Sequence, residues 1–227
     1  MFDRVISLIG SDKFEKINNS CVMVVGLGGV GGYSVECLVR SGIGKIILID
    51  YDKIDVSNLN RQIITNSSNI SNYKTSEWEK RIKDINPDCE VIIYNMFLDK
   101  DNIAQINDLK IDYIIDACDS VDTKKLLIDY SFDKNIKLIS SMGTANKIDP
   151  GKLEIMDIRK TSYDPLAKIL RKYVLSLKNN KKVMVVSTNE SPIKKQGLSS
   201  MVFVPATAGI MLANYVIRDI IGEWINE

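Results

Sequence analysis

Three clusters in this chain have the residue types and spacing to do chemistry. The first is Gly26-Leu27-Gly28-Gly29-Val30-Gly31-Gly32, which follows the short apolar run Cys21 to Val25. It fits GxGxxG at Gly26, Gly28 and Gly31. Glycines there permit a tight turn and let backbone N–H groups approach a phosphate at a helix N-terminus. Asp50 lies 24 residues after Gly26, at the end of a second apolar run. A carboxylate at that point accepts hydrogen bonds from ribose hydroxyls. This motif alone does not separate NAD, FAD and ATP. A tight turn without any ligand is the bland alternative.

The second cluster separates them. Residues 50 to 62 read DYDKIDVSNLNRQ, and Lys74 follows 13 residues after Arg61. A hydride-transfer domain has no need of a second carboxylate, Asp52, with an arginine and a lysine after the second strand. An adenylating site does, because triphosphate charge must be held and pyrophosphate must leave. Arg61 suits bidentate grip on phosphate oxygens, and Lys74 suits a compact point charge. Asn58 and Gln62 add amide hydrogen bonds. A polar surface loop is the competing reading.

The third cluster is Asp116-Ala117-Cys118-Asp119-Ser120. Carboxylates at the carboxyl end of a central strand face the ligand crevice. Asp119 is the candidate ligand for Mg²⁺ against the phosphates, with Asp116 behind it. Asp119 or Ser120 would also serve as a plain helix N-cap.

These clusters need a scaffold, and the pattern around them supplies one. Strands are expected at Cys21–Val25, Lys45–Ile49, Glu90–Tyr94, Asp112–Ile115 and Ile136–Ser140. They alternate with helices at Tyr33–Arg40, Ser76–Ile85, Asn102–Leu109 and Thr123–Lys134. That rhythm means an α/β fold with a Rossmann-like, doubly wound, mostly parallel sheet. After Ser140 the rhythm changes. Strands are expected at Lys152–Ile158 and Val183–Ser187, and a helix at Pro165–Leu177. Asn189–Ser199 reads as a polar loop, Met201–Val204 as a short strand and Ala206–Trp224 as a long apolar helix. Residues 1–150 form the nucleotide-binding part in this reading. Residues 151–227 complete the sheet on the substrate side, within one compact domain.

Composition removes other classes. The 227 residues include no histidine, so a histidine base, a Ser-His-Asp triad and a His-liganded metal are impossible. A net charge of +1 argues against a protein that coats nucleic acid unspecifically. Cys21, Cys37, Cys89 and Cys118 form no CxxC pair, so no zinc site is expected. Scattered cysteines, no signal-peptide design and no long apolar run point to a cytoplasmic protein away from membranes.

Taken together, GxGGxG, DxD, NLNRQ, Lys74 and DACDS resemble the ThiF/MoeB/HesA adenylating superfamily over about residues 4 to 140. The resemblance implies ATP and Mg²⁺. It gives Gly28 to the phosphate, Asp50 and Asp52 to the ribose and adjacent site, Asn58, Arg61 and Lys74 to the triphosphate, and Asp119 to the metal. Arg4 is similar to an N-terminal arginine that reaches into the partner subunit's active site, which implies a homodimer. Further stretches resemble the tRNA threonylcarbamoyladenosine dehydratase branch over nearly the whole chain. They are residues 141–150 (SMGTANKIDP), 157–161 (DIRKT), 164–167 (DPLA) and Phe203-Val204-Pro205.

That branch implies adenylylation of the threonylcarbamoyl carboxylate on the adenosine beside a tRNA anticodon, and ring closure with loss of water. A monovalent cation and a sulfur-acceptor or cysteine-desulfurase protein are further associates it brings in. The chemistry needs no protein nucleophile, because the substrate supplies its own. One departure stands out. Some members have a cysteine before the C-terminal helix, and Leu198-Ser199-Ser200-Met201 has none. Cys118 reads as a buried apolar residue.

Two other functions compete. One is an adenylyltransferase acting on the C-terminal glycine of a ubiquitin-like sulfur carrier; the missing CxxC pairs argue against it. The other is a nucleotide-sensing module without chemistry; Asp50, Arg61, Lys74 and Asp119 together argue against that. The charge is also uneven. Residues 159 to 195 carry ten basic and two acidic residues, a net +8, against twenty basic and twenty-seven acidic elsewhere, a net −7. Lys147, Arg159 and Lys160 are candidate substrate contacts, and Lys181 with Lys182 a candidate tRNA footprint if that segment flanks the crevice.

Overall fold

The computed structural model describes residues 1–194 and 196–223. Lys195 of the basic segment and Trp224 of the expected last helix lie outside the described residues. The centre is β1 (Cys21–Val25), whose five residues are all buried. A strand covered on both faces has no polar side, which is why CVMVV shows no alternation. Val22 and Val24 turn to one core, and Cys21, Met23 and Val25 to the other.

The sheet grows from β1 in both directions. β2 (Lys45–Ile49) and β3 (Glu90–Tyr94) extend it on one side; β4 (Tyr113–Asp116) and β5 (Lys137–Ser141) extend it on the other. β6 (Leu153–Asp157) and β7 (Met184–Thr188) complete the order β3-β2-β1-β4-β5-β7-β6. Among the described strands only β6 runs antiparallel, against β7. The chain moves outward from β1 through β2 and β3, then returns to pair β4 with β1. The switch point therefore lies between β1 and β4, and a crevice opens beyond their carboxyl ends.

Helices cover both faces. α3 (Gly31–Arg40), α4 (Lys74–Ile85) and α7 (Phe203–Ile220) lie over Val22 and Val24. Trp78 and Ile82 of α4, with Leu38 of α3 and Leu212 of α7, are fully buried there. α5 (Val121–Lys134) covers the other face and carries α6 (Pro165–Ser176) against it. α7 comes so near α3 that a Cβ on Gly209 would sit 2.2 Å from the Val30 carbonyl oxygen. The Ser34 hydroxyl also donates to the Gly209 carbonyl at 2.9 Å.

Strands β1, β2 and β3 have the bounds expected from sequence, and β4 to β7 shift by one residue at one or both ends. Two expectations fail, and one segment without an assignment gains elements. Met201–Val204 forms no strand; Val202 caps α7, and its carbonyl accepts from Ala206 N–H at 2.9 Å. Pro205 falls within the first turn, where its missing N–H costs nothing. Asn102–Leu109 holds only a 3-10 turn at Ile103–Ile106. Asp99 and Asn102 cap each other's backbone there, which favours a turn over a helix. The N-terminal segment forms α1 (Asp3–Ile9) and α2 (Ser11–Asn18), where no element was expected.

Candidate functional site

The crevice at the switch point is a cleft of about 290 Å³. Its walls bring together Gly26, Gly28, Gly29, Asp50, Asp52, Asn58, Arg61, Gln62, Lys74 and Asp119, residues that sequence reading had assigned to one site. The glycine turn is shaped by two steric demands. Gly26 has φ +86°, and a Cβ there would meet the Ala117 carbonyl oxygen at 2.7 Å. A Cβ on Gly31 would fall 1.8 Å from the Gly26 carbonyl oxygen, so Gly31 closes the turn onto α3. Gly28 is different: nothing lies within 3.8 Å of its Cβ position. Its bare backbone faces the cleft, leaving room for a phosphate oxygen to come close.

Asp50 is buried at the end of β2. Its Oδ2 accepts from Leu27 N–H at 2.6 Å and its Oδ1 from Asp52 N–H at 2.8 Å. Each oxygen keeps a second lone pair for a hydroxyl donor. Burial pushes the Asp50 carboxyl up, against the pull of Lys74 and these two N–H groups. Lys74 begins α4 and is itself buried, with its ammonium 2.7 Å from Asp52 Oδ2. Arg61 is steered by the Ser57 carbonyl at 2.7 Å and Asn60 Oδ1 at 2.9 Å. Asn58 holds that turn in place by accepting from Asp55 N–H at 3.1 Å. Gln62 is buried on the cleft wall, and its Oε1 has no hydrogen-bond partner.

On the opposite wall Asp119 is exposed at the mouth. Ser120, rather than Asp119, caps α5 by accepting from Thr123 N–H at 3.3 Å. Cys118 lines the cleft, but burial, then the neighbouring Asp116, pushes its thiol far up. It is a protonated thiol and a poor nucleophile. Asp116 lies beneath the cleft, fully buried and paired with Lys124 at 3.0 Å. Among the described residues no three Cys, Asp or Glu side chains converge on a common metal position.

Sequence reading missed several residues. Lys124 sits on α5 below the floor. Tyr51 and Phe97 meet edge to face at 5.3 Å on the rim. Their signal was available: both follow the carboxyl ends of strands, β2 and β3, on one side of the switch point. Arg4 is exposed on α1 and does not line the cleft.

Four candidate contacts are corrected. Lys147 does not face substrate; it is buried against Asp164 at 2.8 Å and the Gly143 carbonyl at 2.5 Å. Arg159 is spent on Asp157 at 2.9 Å and the carbonyls of Asn179 and Lys181. Lys181 and Lys182 line a second cavity of about 230 Å³ with Tyr113, Lys137 and Met184, the first residues of β4, β5 and β7. That is the end of the sheet opposite the cleft, so these two lysines do not flank the crevice. Lys160, Lys168, Lys172 and Lys194 are exposed.

A glycine turn on a helix N-terminus, a buried carboxylate at the end of β2 and converging Arg and Lys fit a nucleotide-binding site of the adenylating kind. Residues 2–224 match the ThiF family, and the chain belongs to it. It is 38% identical to the tRNA threonylcarbamoyladenosine dehydratase of Bacillus subtilis, over 98% of this chain and 95% of that protein. The Escherichia coli enzyme of that name is 36% identical, over 91% of this chain and 80% of its own. The crystal structure of the Escherichia coli dehydratase in complex with ATP superposes with a TM-score of 0.92. It shares 34% identity and covers 98% of this chain and 94% of that one.

Proposed function

We propose that the protein is an ATP-dependent tRNA threonylcarbamoyladenosine dehydratase. The observation that carries this reading is the single cleft in which the glycine turn, Asp50, Arg61, Lys74 and Asp119 converge. Asp50 takes the ribose, Gly28 and Gly29 present backbone to phosphate, and Asn58, Arg61, Gln62 and Lys74 hold the triphosphate. Kinship with dehydratases along almost the whole chain supports the choice of substrate.

Asp119 with phosphate oxygens would form an all-oxygen donor set, which fits Mg²⁺. The ion would supply charge neutralisation at the phosphates. In the first step a carboxylate oxygen of the threonylcarbamoyl group attacks the α-phosphorus, and pyrophosphate leaves towards Arg61 and Lys74. In the second, a nucleophile of the same side chain attacks the acyl carbon, gives up its proton and expels AMP. The sum is loss of water from the nucleoside, with ATP becoming AMP and pyrophosphate. The absence of histidine from the sequence accords with a nucleophile that belongs to the substrate.

A homodimer in which Arg4 reaches the partner's cleft belongs to this reading, as does a cytoplasmic place of action on tRNA. Among the described residues no helix is long and apolar enough to cross a membrane.

The test is mass spectrometry of tRNA nucleosides with and without the protein and ATP. Threonylcarbamoyladenosine should lose one water only when both are present. Pyrophosphate exchange into ATP that depends on a ubiquitin-like protein and ignores tRNA would instead select the carrier-adenylating alternative.

A further inference from the structure

The fully buried Lys124 sits under the floor of the cleft, where the proposed chemistry makes no use of it. Its ammonium meets Asp116 Oδ1 and Oδ2 at 3.0 Å each, Ser140 Oγ at 3.1 Å and the Ser141 carbonyl at 2.9 Å. Ser140 donates in turn to Asp116 Oδ2 at 2.6 Å. An ammonium has three protons, so every one is engaged. Burying such a pair is costly, and a hydrophobic replacement of similar volume is often no worse for stability. Stability alone is therefore a poor reason for its presence.

The partners point elsewhere. Asp116 ends β4, and its Oδ1 accepts from both the backbone N–H and the thiol of Cys118, at 3.3 and 3.1 Å. It thereby sets the path of residues 117–120, the loop that carries Asp119 to the cleft. Ser141 ends β5 and opens residues 142–147. That segment lies outside the cleft walls. Its Gly143 carbonyl accepts from Lys147, which pairs with Asp164, and Asp164 caps α6 by accepting from Ala167 N–H at 2.8 Å. One ammonium thus joins the two loops leaving adjacent strands.

We propose that Lys124 is a positioning residue that couples the nucleotide loop, residues 117–120, to the loop that follows β5, residues 142–147. The proposal rests on the cleft being an ATP site. Fixing Asp116 and the Ser141 carbonyl to the same atom means that ordering one loop orders the other. ATP bound against Asp119 then tightens a segment it does not touch.

Removing Lys124 alone strands a buried carboxylate and endangers folding. The test variant is therefore the double Lys124→Met, Asp116→Asn, which removes both charges at once. Lys124→Arg is the conservative control. Hydrogen exchange is followed by mass spectrometry with and without Mg·ATP. In the wild type, ATP should slow exchange in both 117–120 and 142–147. In the double variant, protection should persist at 117–120 and vanish at 142–147; Lys124→Arg should restore part of it. With modified tRNA, kcat of the double variant should fall about tenfold or more while KM for ATP moves less than about threefold.

Equal ATP protection of 142–147 in both proteins overturns the coupling, as does wild-type protection confined to 117–120. No ATP-dependent protection anywhere overturns both the coupling and the ATP reading, so the two failures are distinguishable. A double variant that does not fold assigns the pair a structural role and overturns the proposal too.

Discussion

Lys74 and Asp52 form an ion pair at 2.7 Å in which the lysine is buried and the aspartate is half in solvent. The asymmetry matters for a cation proposed to meet phosphate. Asp52 holds the ammonium at the cleft wall and compensates its charge, while the exposed carboxylate can turn away to solvent when a stronger anion arrives. Lys74→Met should therefore weaken ATP binding by roughly tenfold or more, on the scale of a lost charged hydrogen bond. Asp52→Asn should have the smaller effect of the two. Isothermal titration with a non-hydrolysable ATP analogue separates them; equal losses in both variants would contradict this division of roles.

Asp50 should set a pH limit on the proposed nucleotide binding. Burial raises its carboxyl above the ordinary aspartate range, against the pull of Lys74. In the proposed site the ionised form would accept hydrogen bonds from ribose, so affinity for ATP should fall as pH drops through this raised value. Stability runs the other way. The folded state binds this proton more tightly than the unfolded chain, so Asp50 favours folding more as pH falls from its folded towards its unfolded value. In Lys74→Met the loss of affinity should begin at higher pH, because the charge that holds Asp50 down has gone. ATP affinity measured across pH 4 to 8 (roughly the carboxylate-to-neutral range) reads the shift, and an unmoved profile would disprove the coupling.

Two glycines of one motif should fail in different ways. A methyl on Gly31 collides with the Gly26 carbonyl at 1.8 Å, whereas one on Gly28 meets nothing nearer than 3.8 Å. Gly31→Ala should cost more than about 3 kcal/mol by chemical denaturation, at the severe end of point mutations. Gly28→Ala should melt within about 2–4 °C of wild type and yet bind ATP poorly, since the methyl fills the approach to phosphate. A Gly28→Ala protein with normal ATP affinity would remove the phosphate from that position.

Cys118 and Asp119 are neighbours with opposite expectations. Burial keeps the Cys118 thiol protonated at neutral pH. Iodoacetamide should leave it unlabelled in the native protein, and Cys118→Ala should retain kcat within about threefold. Asp119 is exposed at the mouth of the cleft. Asp119→Ala should fold normally, as judged by circular dichroism, and lose turnover of modified tRNA. Wild-type turnover in Asp119→Ala would end its assignment to the metal.

The readable parts of this protein were those where one physical rule acts alone. β1, β2 and β3 are short apolar runs bounded by turns, and their limits matched. The convergence of the glycine turn, Asp50, Arg61, Lys74 and Asp119 on one cleft was legible because each follows the carboxyl end of β1, β2 or β4, where an open parallel sheet has its crevice. Lys124 was not, because a lysine on a helix looks solvated until β4 and β5 are known to end beside it. Lys147 misled for the same reason: its partner, Asp164, lies 17 residues away and across a strand. Met201–Val204 has strand-like composition, yet Pro205 and the apolar face of α7 draw it into a helix start. The basic run from 159 was read as one patch. In space it is divided between both ends of the sheet, since α6 and β7 traverse the molecule between them.

The contact of Gly209 with Val30 gives the glycine turn a dependence on a residue far away along the chain. Gly209 does not line the cleft, yet any side chain there would press on the Val30 carbonyl at the start of α3. The packing behind the turn is thus set by a helix that never meets the cleft's contents, and the space one missing Cβ leaves in α7 decides how firmly the turn is backed.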